Sequence, residues 1–263
     1  MFELPAIPVI WTLTGAAAYL WAQWTLRRRG VRWPMSRALA FVTGTLVVAL
    51  ALVPASAPGL NEFEAHMGQH ILIGMFAPIL FALSAPGTLL LRVTIGATRR
   101  RVVALLHSPV VRVLVHPVAA TLVSLAGLIA VYFTPLYDLS AANPVIHELV
   151  HVHFFLSGCA VAWAFVGLDP HPRRPSFTTR LVASGVLIAG HGAVAKYLYA
   201  GYAQVTSESA EAVRQGAQLM YYGGEPFHLL LVGAMFVQHY RARSRAESHA
   251  RRRRQAITAL QSS

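Results

Sequence analysis

The stretch Val145–Val166, VIHELVHVHFFLSGCAVAWAFV, decides the fold. It holds one acid, Glu148, and no Asp, Lys or Arg. A helix rises 1.5 Å per residue, so a run of ~20 apolar residues crosses the ~30 Å hydrocarbon core of a bilayer. Six other stretches read the same way, at about 6–26, 37–54, 65–85, 114–133, 181–200 and 217–240. The expected fold class is all-α: a polytopic membrane protein built as a seven-helix transmembrane bundle.

Composition agrees. The 263 residues are 56% hydrophobic and only 12% charged, about half the ~25% charge of soluble domains. A formal charge of +12 suggests nucleic acid until the arginines are located. They gather in alternate gaps between apolar runs, around Arg27–Arg37, Arg92–Arg112 and Arg173–Arg180, and then from Arg241 to Arg254. The other gaps carry acids: Glu62 and Glu64, Asp138, Glu208 and Glu211. Basic loops stay cytoplasmic during insertion, so this alternation is a topology signal and no nucleic-acid partner is expected. It puts the N-terminus outside and the C-terminus in the cytoplasm. The expected organisation is one transmembrane domain over 1–240 and a basic cytoplasmic tail over 241–263 that meets anionic lipid. The stretch Ala97–His107 reads as a basic helix on the inner surface. Cys159 is the sole cysteine, which excludes a disulfide framework. With Glu3 and no basic start, no cleaved signal peptide is expected. Gly223-Gly224-Glu225-Pro226 falls inside the seventh span, where proline removes a backbone donor, and predicts a break facing protein or a wet cavity. Glu225 favours the cavity, since an intramembrane carboxylate is costly without a partner.

Within the opening stretch, His147-Glu148-Leu149-Val150-His151 fits H-E-x-x-H, the zinc-protease pattern. His66 and His70 have the same i, i+4 spacing on the third span. Both pairs fall in the outermost turns, each on one helix face. Four imidazoles at one depth on two helices predict a shared metal site of His66, His70, His147 and His151. A protease needs an open position for water, which four imidazoles would fill, so Glu148 is not expected to act as a base. Asp169 is no ligand, being ~27 Å from His151 along the helix. Haem ligated by His70 and His151 is a further reading, although the i+4 companions would crowd the porphyrin. Imidazole suits copper, zinc, iron or nickel, and nearby thioethers (Met67, Met75 and Met220) shift the preference toward Cu(I). His153 points ~200° away from His151 and is expected to meet His191 and His228 deeper in the bundle. Met67, His153, His191, Met220, Glu225 and His228 are thus further metal or transfer candidates.

From about residue 60 onward the chain resembles the CtaG-type cytochrome c oxidase assembly proteins. The resemblance is carried by His66-Met67-Gly68-Gln69-His70 with Ala77-Pro78 and Ala85-Pro86, and by Thr134-Pro135-Leu136-Tyr137, Asn143-Pro144 and His147–His151. Val166-Gly167-Leu168-Asp169-Pro170 with Pro172-Arg173-Arg174 is similar too, as are His191, Met220 and Gly224-Glu225-Pro226. One departure is Arg214-Gln215, where the family pattern has Asp-Gln. The resemblance implies a non-enzymatic copper-handling assembly factor, multi-pass in a bacterial cell membrane. Its partners would be oxidase subunits or a copper chaperone. A copper importer passing metal inward by His153, His191, His228 and Glu225 is the alternative of a different class.

Overall fold

A computed structural model describes residues 6–52, 59–170 and 175–261, and every element among them is helical. Three helical segments are long and apolar enough to cross a membrane: Glu62–Val93, Pro144–Val166 and Phe177–Tyr199. A fourth is added if Pro117–Tyr132 is joined to Leu136–Ala142 across a 70° bend, and Met35–Ala51 is a shorter apolar helix. In chain order the helices are α1 (Ala6–Arg28), α2 (Met35–Ala51), α3 (Glu62–Ile71), α4 (Ala77–Ser84), α5 (Pro86–Val93), α6 (Gly96–Leu106) and α7 (Pro109–Leu114). They continue as α8 (Pro117–Tyr132), α9 (Leu136–Ala142), α10 (Pro144–Val166), α11 (Phe177–Tyr199) and α12 (Ala210–Gln261). The basic helix expected over 97–107 is α6, which buries none of its side chains.

The expected break in the seventh span is not found. Helix α12 runs through Pro226 without interruption and on beyond Arg241. The glycines there let helices approach instead: a Cβ on Gly223 would lie 3.0 Å from Ile71, and one on Gly224 2.8 Å from His191. The irregularity sits in the Glu62–Val93 segment, where a π-turn at Leu72–Phe76 separates α3 from α4. Proline clashes with the carbonyl four residues back and offers it no N–H. For Pro78 that carbonyl belongs to Gly74, inside the π-turn. Gly158 of α10 packs directly on this turn, so closely that a Cβ there would sit 2.0 Å from the Gly74 oxygen.

A second irregularity ends the span. Ala85 takes a left-handed conformation (φ 53°, ψ 55°) between α4 and α5 while fully buried, a geometry that costs roughly 1–2 kcal/mol for a residue with a Cβ. Asp169, just past the end of α10, holds the far side of this elbow. Its carboxylate accepts from the backbone N–H of Gly87 (3.1 Å) and Thr88 (2.5 Å), the Thr88 hydroxyl (2.7 Å) and the Trp163 indole (3.0 Å). Asp169 is therefore the N-terminal cap of a helix 82 positions earlier.

Candidate metal centre

Two caps aim the outer histidines. Asn61 accepts from the Glu64 N–H while the Glu64 carboxylate accepts from the Asn61 N–H, a reciprocal box that starts α3. Asn143 accepts from Val145 and Ile146 N–H groups, with Pro144 in the first turn of α10. His66, His147 and His151 then converge. Ring centroids are 6.4 Å apart for His66–His147, 6.0 Å for His66–His151 and 4.4 Å for His147–His151. A metal–nitrogen bond is ~2.0–2.1 Å, so two imidazoles on one ion have centroids ~5–6 Å apart. These centroid separations lie near that range, while the group whose ligand atoms already stand within 4.8 Å of one another is the deeper one of His191, Glu225 and His228.

Hydrogen bonds engage one nitrogen on each of two of these rings. His151 donates from Nδ1 to the His147 carbonyl (3.1 Å), leaving Nε2 buried and unpartnered. His66 Nε2 lies 3.2 Å from the Tyr132 hydroxyl, which is also 3.5 Å from Met67 Sδ. Nδ1 is then the His66 nitrogen that Tyr132 does not engage. Such outer partners orient a metal-ligating imidazole and set its tautomer. A cavity of about 250 Å³ lined by Glu62, His66, Tyr137, His147 and Glu208 opens beside the cluster. Glu148 is exposed and stands apart from it.

His70 does not join this cluster. His66 is level with His147 and His151, whereas His70 meets Phe154 (ring centroids 4.4 Å). Below Phe154, His70 stacks on His191 at 6.0 Å and 17°, and His191 meets His228 edge-on at 4.8 Å. His228 Nδ1 is 3.9 Å from a Glu225 oxygen, and ligand atoms of His191, Glu225 and His228 lie within 4.8 Å of one another. His70, His191 and His228 are all at least 95% buried. Five of their nitrogens have no hydrogen-bond partner: both of His70, both of His191, and Nδ1 of His228. An unsatisfied buried polar atom costs ~1–3 kcal/mol, so five in one place mark a site whose partner is something other than protein.

The other candidates fall elsewhere. His153, expected beside His191 and His228, faces α8 instead, with Nε2 2.0 Å from where a Cβ on Gly127 would lie. The direction ~200° from His151 on α10 points to α8, whereas α11 and α12 carry His191 and His228. Met67 stands behind His66 and holds Tyr132, and Met220 is fully buried in the apolar core around it. Tyr132 and Phe154 were not legible as site residues. An apolar span contains many aromatics, and only the packing selects these two. Arg214 is exposed at the mouth of α12, and its neighbour Gln215 accepts from the Asn61 side chain (2.9 Å).

Residues 17–242 match the protein family described as cytochrome c oxidase caa3 assembly factor. Uncharacterized proteins of Mycobacterium bovis and Mycobacterium tuberculosis are each 36% identical to the chain over 215 residues, and one of Mycobacterium leprae is 34% identical over the same length. Each match covers 72% of this chain and 32% of the relative, so the chain spans about a third of the length of these curated relatives. No solved structure matches.

Proposed function

The chain belongs to the cytochrome c oxidase caa3 assembly factor family, and on that footing we propose that it is a copper-binding membrane protein that supplies or inserts copper into cytochrome c oxidase. The observation that carries this reading is the convergence of His66, His147 and His151, with His151 Nε2 left as a lone-pair donor by the hydrogen bond from Nδ1 and His66 held through Nε2 by the Tyr132 hydroxyl. Copper is the cargo. The outer cluster captures it beside the acidic cavity of Glu62 and Glu208, and the exchangeable imidazoles release it to an oxidase subunit or a copper chaperone. His70, His191 and His228 extend the track inward.

The import alternative is disfavoured by what lies below the track. The cavity that His191 and His228 line is walled by the apolar side chains of Ile79, Val161, Leu187 and Leu231, and deeper still the buried Arg180 guanidinium donates to the Phe165 carbonyl (2.9 Å). A buried arginine opposes cation passage. A track closed at its inner end fits outward delivery. Haem at His70 and His151 is disfavoured by Phe154, whose ring fills the space between the two levels. The zinc-protease reading is disfavoured because Glu148 is exposed and is not among the residues that line the cavity beside the histidines.

The role is non-catalytic, so Glu148→Gln is expected to keep full metal content and oxidase maturation. The test is elemental analysis with electron paramagnetic resonance and visible spectroscopy on purified protein. Copper in near-stoichiometric amount supports the reading, while a haem spectrum or zinc alone overturns it. Full metal in Glu148→Gln with maturation lost would restore a hydrolytic or proton-transfer role.

The topology that goes with this function is a seven-span bundle in a bacterial cell membrane, with the outer cluster facing outward and the Arg241–Arg254 segment in the cytoplasm. A reporter inserted near Ala142 should be exported and one fused after Ser263 should stay cytoplasmic. Finding both on one side removes the assignment of an outer face.

A further inference from the structure

The interior cavity below Phe154 has about 40 Å³ of room and is lined in part by His70, Met75, His191 and His228, which is space for a few water-sized bodies. Its polar lining is made of the imidazoles of His70, His191 and His228, five of whose nitrogens have no hydrogen-bond partner, and the side chains of Ser124 and Ser157, the latter already donating to the Phe154 carbonyl. Met75 comes from the π-turn, whose extra residue carries its side chain toward α12. Its sulfur and His191 Nε2 each lie 3.5 Å from the point that a Cβ on Gly224 would occupy, so glycine at 224 keeps open the space between thioether and imidazole. Among the described residues the acid nearest it is Glu225, which is 28% exposed and not among the lining residues, although one of its oxygens reaches within 3.9 Å of His228 Nδ1 and within 4.8 Å of a His191 nitrogen from the cavity's edge.

We propose that this cavity is a second metal site, separate from the outer cluster, and that it takes a soft monovalent cation, Cu(I), held by His70, His191 and His228 with the Met75 thioether. The donor set argues for this class. Thioether with imidazole favours Cu(I), whereas carboxylate and water suit harder ions. The enclosure argues the same way, since a cation that sheds its water and carries one charge is less costly to bury than a divalent ion. Phe154 separates the two sites, with His66 on one side at 6.4 Å and His70 on the other at 4.4 Å between ring centroids. The π-turn has a chemical reason as well as a steric one: it turns a methionine into the cavity.

The inference rests on the copper reading above and is tested separately from it. Ag(I) serves as a redox-inert probe of a soft monovalent site and Zn(II) as the harder control, both titrated into full-length protein in detergent. The His66→Ala/His147→Ala/His151→Ala variant should still bind one Ag(I). Met75→Leu, a swap that nearly conserves volume, should weaken that Ag(I) about tenfold (~1.4 kcal/mol) with Zn(II) binding changed less than twofold. Gly224→Ala should exclude the ion. If wild-type protein binds neither probe, the copper reading falls with the inference. If wild-type binds Ag(I) and the triple variant binds none, only the inner site is wrong. Equal losses of Ag(I) and Zn(II) in Met75→Leu, or sensitivity to Glu225→Gln with none to Met75→Leu, would assign the cavity to a harder divalent ion and overturn the proposal.

Discussion

Replacing His147 and His151 together by alanine should strip the outer site of its metal and reduce oxidase maturation to background. Losing a residue that merely orients a metal ligand already costs 10–100-fold in affinity, so losing two ligands should cost more than a hundredfold. His66→Ala should be nearly as severe, because one missing wall leaves the remaining rings on α10 alone, 4.4 Å apart. The triple variant should be little worse than either, since ligands of one site act as a unit. His70→Ala is the discriminating control. The sequence pattern puts His70 in the same site, whereas its ring faces Phe154 and His191. Outer-site affinity, measured by competition with a chelator, should therefore survive His70→Ala within a few-fold. A loss as deep as that of the double variant would return His70 to the outer site and dissolve the two-level arrangement. Metal lost in proportion to the number of histidines removed would show independent sites.

Gly158→Val should be the most damaging single substitution away from the histidines. Even an alanine Cβ at 158 would lie 2.0 Å from the Gly74 oxygen and 3.0 Å from the Pro78 ring. Backbone sits on both sides of that contact, so α10 must move off the π-turn. Overpacking a tight core commonly costs 1–3 kcal/mol, and a clash of backbone with backbone belongs at or above the upper end. Both metal levels should loosen with it, because His70 is packed against Gly74 and α10 carries His147, His151 and Phe154. Gly185→Ala on α11 is the matched control, with nothing within 4 Å of its added carbon. It should be neutral or stabilising by roughly 0.5–1 kcal/mol, as expected for Gly to Ala inside a helix. Thermal unfolding in detergent, followed by tryptophan fluorescence, separates the two. An unchanged midpoint in Gly158→Val would mean that the α10 crossing is loose and sets neither site.

Much of this arrangement was legible in the amino-acid order, and what was not has a common cause. Apolar runs fix helices because only a helix satisfies its own backbone in lipid, and the spacing of His147 and His151 puts them on one face. The angle between His151 and His153 separates their faces, but a helical wheel does not say which neighbour stands on the far side. That neighbour is Gly127 of α8. The vertical offset between α3 and α10 is likewise a property of two helices together. It depends on where Gly158 meets Gly74, a contact between residues 84 apart in sequence. Pro226 and Pro78 show the same limit. Each is a helix breaker in isolation, and it is the packing around Gly74 that makes a π-turn form before Pro78 while α12 continues through Pro226.

The Asp169 cap has a consequence for how the protein is made. The N–H groups of Gly87 and Thr88 emerge from the ribosome 81 to 82 residues before their carboxylate. At roughly 5–20 residues per second, the elbow after Ala85 waits on the order of 4 to 16 s for its partner. The wait ends with the same segment that carries His147, His151 and Gly158, since Asp169 follows α10 directly. Arrival of one helix closes the elbow, seats the π-turn and supplies two histidines of the outer cluster. Completion of that cluster and of the bundle are thus tied to a single docking event during translation, so a nascent chain stalled before α10 presents only His66 of the three clustered histidines.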